Sequence, residues 1–220
     1  MDTPVLQQCF APQAIEARSF AIIDSEVPEP RPFCGAHWHI ARRLVHTTAD
    51  FDLLNHIRFH PQAVEAGIRA LQNGCTIFTD TEMARSGIPL RRMTPLGCTV
   101  TCLLNRPDVV HAAQRDNTTR AHAAMNAASS ELAGAIVAIG NAPTALIRLA
   151  GHLEQGCPAP ALVIAMPVGF VNAAESKALF IQQNRVPWIT IEGRKGGSAL
   201  AAATVNALAV MALESSPAAP

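Results

Sequence analysis

The chain has 220 residues, 49% of them apolar, and its 17 basic and 17 acidic side chains give a formal net charge of zero. That length and apolar content suffice for one well-buried domain, and the charge balance argues against a nucleic-acid or membrane-surface footprint. Six cysteines, Cys9, Cys34, Cys75, Cys98, Cys102 and Cys157, fall in no CxxC spacing. Neither a zinc knuckle nor a disulfide scaffold is therefore expected, and the thiols read as reduced and partly buried.

The opening MDTPVLQQCF lacks a basic stretch followed by an apolar run, so no signal peptide is expected. Residues 1–72 read as a helical extension. Helices are expected over 12–27 and 37–48, separated by VPEPRPF, whose alternate prolines favour extended backbone. A third helix over 61–72 opens at Pro61 and closes at Gly74.

From 73 to 214 the pattern changes. Five short apolar runs read as strands: CTIFT (75–79), CTVTCL (98–103), AIVAI (135–139), ALVIA (161–165) and WITIE (188–192). Helical segments lie between and after them, over 107–133 with a break near Asn117, then 143–155, 173–184 and 198–213. Such alternation calls for a parallel sheet covered on both faces, within one domain spanning 1–220. The last helix carries no charge between Ala199 and Leu213 but is shorter than the ~20 residues of a bilayer span. It also holds Thr204 and Asn206, so a buried helix of a soluble, cytoplasmic protein is expected.

In doubly wound sheets the ligand lies beyond the carboxyl ends of the strands. The residues that fall there are Asp80 and Thr81, then Gly140, Asn141 and Thr144, then Gly169 and Phe170, and finally Arg194, Lys195, Gly196, Gly197 and Ser198. Glycines let a ligand approach the backbone, and exposed amides are ready donors to oxyanions, although Gly and Pro also simply punctuate strand-to-helix turns. Arg194 and Lys195 stand before a helix whose free amides are already partly positive. That placement is unfavourable by a few tenths to about 1 kcal/mol, so an anionic partner is expected. A nucleotide motif is not present, because the lysine precedes the glycine pair and no GxGxxG follows a strand. Phosphate or carboxylates would both suit these donors.

The segments IGNAPTAL (139–146), MPVGFVNAAESK (166–177) and GRKGGSALAAATVNAL (193–208) resemble the three signature stretches of the precorrin-8X methylmutase family. IEARSFAII (15–23), RLVHTTADFD (43–52), CTIFTDTEMARSGI (75–88) and TTRAHAA (118–124) match in order and spacing. The wording HTTADFD and TDTEMA is closer to the cobalt-precorrin-8 branch, which belongs to the anaerobic route to cobalamin.

The resemblance implies a three-layer, flavodoxin-like α/β domain with a five-stranded parallel sheet, and a homodimer with substrate near the interface. It implies an isomerase that moves a methyl group between adjacent carbons of ring C of a tetrapyrrole, giving cobyrinic or hydrogenobyrinic acid. A sigmatropic shift of this kind is internal to the substrate, so no cofactor and no protein-bound metal are expected; cobalt, if present, is carried in the substrate. The acetate and propionate fringe would supply the anions for Arg194, Lys195 and the following helix terminus.

The family's catalytic histidine falls on His46, which the resemblance makes a general acid toward the ring C nitrogen. On the residues alone, His46 also reads as an amphipathic-helix histidine balanced by Asp50 one turn later. Alternatively, Thr47 and Asp50 form a capping box that starts a new helix. Arg120, in the TR pair of the family motif, is a candidate carboxylate clamp or a surface salt-bridge partner. Ser19, Asp80 and Thr81 are candidates for hydrogen bonds at the pocket rim. His56 and His60 have metal-ligand spacing without a carboxylate motif around them, so no metal site is expected. Glu175 and Lys177 point to different helix faces and are not linked as an acid-base pair. A non-catalytic corrinoid carrier and a nucleotide-binding flavodoxin-like protein are the other functions the residues admit.

Overall fold

The computed structural model describes residues 11–215; Cys9 and the tail SPAAP beyond Ser215 lie outside them. The elements in chain order are α1 (Pro12–Glu26), α2 (Gly35–Thr48), α3 (Leu53–His56), β1 (Ile57–Phe59), α4 (Ala63–Gln72), β2 (Thr76–Thr79), α5 (Glu82–Ser86), α6 (Leu90–Met93), β3 (Thr99–Cys102), α7 (Pro107–Arg115), α8 (Arg120–Ala128), β4 (Ile136–Ile139), α9 (Pro143–Glu154), β5 (Leu162–Ala165), α10 (Ala173–Gln183), β6 (Trp188–Ile191) and α11 (Ser198–Ser215).

The sheet has six strands in the order β1-β6-β5-β4-β2-β3. This corrects the expectation of five strands, all parallel. Strands β2 to β6 are mutually parallel, but β1 lies antiparallel on β6 with Ile57 opposite Ile191 and Phe59 opposite Ile189. The sixth strand lies inside the stretch expected to be helical. Three residues are too few to show a period of two.

Alternation along the strands divides the core. Ile77, Ile136, Ile164 and Ile189 face one layer with α2, α4 and α11, whereas Phe78, Val137, Val163 and Trp188 face the other with α8, α9 and α10. The break expected near Asn117 is real. Asn117 takes a left-handed φ of 48°, and Thr119 caps α8 by accepting from the His122 amide at 3.1 Å.

The uncharged last helix is a core element. Twelve of the 18 residues of α11 are buried, and it packs against α2 and α4 in the first layer. Its alanines permit close approach. A methyl group added at Gly87 would come within 2.8 Å of Ala202 Cβ, and Asn206 donates to the Gly87 carbonyl at 2.8 Å. The five described cysteines are free, and Cys98 is buried.

Candidate active site

His46 lies in the last turn of α2, where free carbonyls favour a positive neighbour, and its side chain is exposed. The ring meets Phe20 edge-on with centroids 5.3 Å apart. With Ser19, Ile22, Ile23, Val45 and Phe51 it lines a cavity of 330 Å³ between α1 and α2. Glu16 on α1 bonds Arg43 at 2.9 Å, one turn before His46. Burial works to raise the Glu16 carboxyl, but the Arg43 hydrogen bond and charge prevail, with a smaller contribution from His46, and hold it below the ordinary carboxylate value.

Neither local picture of Asp50 survives. Thr47 Oγ1 donates back to the Arg43 carbonyl at 2.8 Å, so it caps no new helix, and α2 ends when Ala49 turns left-handed at φ 53°. That turn sends Asp50 toward the sheet, where its Oδ2 accepts from Lys195 Nζ at 2.6 Å. Asp52 accepts from the same ammonium at 2.8 Å and also meets His56 Nε2 at 3.2 Å. The Lys195 and Asn55 hydrogen bonds hold Asp52 down at about 2, and its two carboxylate partners raise Lys195. Lys195 was expected to await an external anion, yet its charge is met within the chain.

The loop carrying Lys195 is held tightly. Gly197 donates to the Met166 carbonyl at 2.9 Å, and Gly169 donates to the Arg194 carbonyl at 3.2 Å. A Cβ on Gly196 would lie 2.2 Å from Met166 O, so no side chain fits there. Arg194 is exposed, sits 5.3 Å over the Phe170 ring, and has no carboxylate partner among the described residues. Phe170 itself is 82% exposed. Arg194 therefore remains an available cation, with an apolar ring beside it.

Asp80, expected at the pocket rim, is a buried structural group only 4% exposed. Its carboxylate accepts from the amides of Gly140 at 3.0 Å, Asn141 at 2.7 Å and Ala142 at 2.7 Å. Burial pushes its pKa up against the pull of those three donors. These amides follow β4, beside the point where strand order reverses between β4 and β2, the place at which comparable sheets receive phosphate. The protein fills it with its own carboxylate, and the nucleotide reading loses its donors.

Thr81 caps α5 and shares a 2.8 Å hydrogen bond with Ser198, which is itself buried at the start of α11. Gly140 admits that helix start, because a Cβ there would stand 2.6 Å from Ser198 Cα. Asn141 is exposed beside them. Arg120 begins α8 and donates to Asn105 Oδ1 at 3.0 Å, not to a carboxylate, so the salt-bridge alternative is not what forms. Thr144 pairs with Thr119 at 2.7 Å next to it. No hydrogen bond among the described residues joins this Arg120 group to the His46 cavity.

Lys177 carries more than its sequence suggested. It is 1% exposed, and its Nζ donates to the Lys195 carbonyl at 2.7 Å. Burial lowers it to about 8, which still leaves a cation at neutral pH. A lysine on an amphipathic helix reads as solvated, so only packing reveals it. A larger cleft of 570 Å³ lies between the Pro-rich connector and β1, lined by Phe33, His37, Arg58 and Phe59 among others. It includes none of the expected site residues, whereas the 330 Å³ cavity includes Ser19 and His46. No cluster of three or more metal-ligating side chains occurs among the described residues.

Residues 14–211 match the family model for precorrin-8X methylmutase. The chain belongs to the precorrin-8X methylmutase family. It is 41% identical to the cobalt-precorrin-8 methylmutase of Leptospira interrogans, over 90% of this chain and 92% of the relative. It is 45% identical to the Salmonella typhimurium protein of the same name, over 90% and 94%. A crystal structure of precorrin-8X methylmutase from Thermus thermophilus superposes with a TM-score of 0.85 at 45% identity, covering 92% of this chain and 97% of that one. The protein is accordingly a methylmutase, an isomerase of cobalamin biosynthesis. The carrier and nucleotide-binding alternatives are not favoured.

Proposed function

We propose that this methylmutase converts cobalt-precorrin-8, or its metal-free counterpart, by moving a methyl group between adjacent carbons of ring C, with His46 as the general acid. The reading is supported above all by the position of His46. It lines the cavity with Ser19 and stands one turn before Asp50, whose bond to Lys195 joins that cavity to the carboxyl edge of the sheet. The methyl carries its bonding electrons from one ring carbon to the next. The imidazolium would donate a hydrogen bond or its proton to the ring C nitrogen, and recover the proton as the product forms. Because every atom of the product is already in the substrate, no methyl donor, redox carrier or other cofactor is required.

Substrate binding falls to groups with spare donors. Arg194 and Arg120 suit the carboxylate fringe, and Phe170 offers an apolar face to the macrocycle. Ser19 lines the His46 cavity, and Asn141, Thr144, Gly169 and Gly196 lie at the carboxyl edge of the sheet. Asp80, Thr81, Gly140, Gly197 and Ser198 brace it from beneath.

A cavity of 330 Å³ suits one sector of a tetrapyrrole and not the whole. We read the protein as a homodimer whose second copy completes the site. Exposed Ile15 and Ile22 on α1, and Phe170 and Val171 on the loop before α10, offer apolar surface for it. The order of the five parallel strands fits the flavodoxin-like arrangement, and a cytoplasmic location agrees with the burial of α11. Incubation with precorrin-8X and its cobalt form in parallel, followed by visible spectra of the products, tests the activity and names the preferred substrate. Unchanged spectra with both would refute it.

A further inference from the structure

Lys177 is too deeply buried to meet substrate, yet its ammonium is spent on the carbonyl of a single loop residue. The flat trans peptide points its C=O and its N–H in opposite directions. With the Lys195 carbonyl drawn down onto Lys177 Nζ at 2.7 Å, the Gly196 N–H must face away from the buried side. The preceding peptide is held as well, because the Arg194 carbonyl accepts from Gly169 and the Lys195 N–H must point away from that bond. Neither the Lys195 nor the Gly196 amide has a backbone or side-chain acceptor among the described residues, although both carbonyls that precede them are engaged. Two successive amides left without an acceptor in one loop are donors available to a carboxylate.

The geometry points to Lys177 as a positioning residue that, from beneath the loop, aims the Lys195 and Gly196 amides at a substrate carboxylate. This rests on the reading of 193–198 as part of the substrate site. Lys177 does not touch the reacting carbons. Its ammonium fixes which face of the Lys195–Gly196 peptide the ligand sees, while Gly196 keeps the backbone against Met166. The neighbouring ion pairs of Lys195 leave these amides alone, since Asp50 and Asp52 meet the side chain only.

The test compares three proteins for binding of hydrogenobyrinic acid, followed by visible absorption, and for turnover. Lys177→Met keeps the length of the side chain and removes the donor. Its dissociation constant and KM should rise about 10-fold or more, as for loss of a charge-assisted contact, with kcat changed less than about 3-fold. Arg194→Ala tests the loop reading separately and should weaken binding whatever Lys177 does. If Arg194→Ala weakens binding and Lys177→Met does not, the role of Lys177 is wrong while the site stands. If neither does, the loop is not the substrate site and both fail. A fall in kcat alone for Lys177→Met marks a merely structural lysine and overturns the proposal. Should that variant not fold, amide resonances of the native protein decide. Lys195 and Gly196 N–H signals should move downfield on adding hydrogenobyrinic acid, and unmoved signals in a saturated complex overturn it.

Discussion

Lys195 Nζ lies 2.6 Å from Asp50 Oδ2, although 145 positions separate the two residues. This bond ties the end of the helix bearing His46 to the loop that opens α11. It accounts for a cation beside a helix N-terminus, since two carboxylates offset the unfavourable field before any ligand arrives. Lys195→Met and Asp50→Asn should each lower kcat/KM. The double variant should be no worse than the more damaging single one, because both remove the same connection. Additive losses in a double-mutant cycle would show that the two act separately.

His46→Ala should reduce turnover by about 10²- to 10⁴-fold, the usual share of a positioned acid. Binding of the corrinoid product, followed by its visible absorption, should persist within a few-fold. Wild-type turnover in the variant would remove His46 from the chemistry.

If a second copy completes the site, Arg120 of one subunit can serve His46 of the other. Equal mixing of inactive His46→Ala and Arg120→Ala proteins, after subunit exchange, should restore up to about a quarter of wild-type activity, from the one intact site in each mixed dimer. A mixture as inactive as its parts would place both residues in one chain's own site.

Asp80→Asn exchanges an acceptor for a group that also carries donors, facing three buried amides. A loss of about 1–3 kcal/mol in unfolding free energy is expected, seen as a lower denaturant midpoint. Equal midpoints would mean that the amides find water instead.

Acid sensitivity should follow Asp52. Its folded value of about 2 lies below the ordinary 3.8. Its contribution is therefore present above about pH 4 and lost as pH falls toward 2. Between those limits Asp52→Asn should show a flatter dependence of melting temperature on pH than wild type, and identical slopes would argue that the exposed Lys195 contact adds nothing.

The sequence by itself determined the α/β alternation, because strands of period two and helices of period 3.6 are written in local patterns. It also located five of the six strands, the break at Asn117, and the family, through segments such as GRKGGSALAAATVNAL and RLVHTTADFD. It did not determine which polar groups would consume one another. Asp80 was legible as a residue at the right edge of the sheet, but only tertiary structure bends the 140–142 amides onto it. Asp50 looked like a partner for His46 four positions away, until the left-handed Ala49 carried it to Lys195. Nothing in the pattern marked Lys177 as buried, and the three-residue strand Ile57–Phe59 had no period to read. Local pattern fixes elements because its interactions lie within a few residues; pairing of charges and amides depends on distances in space, which only the packed layers decide.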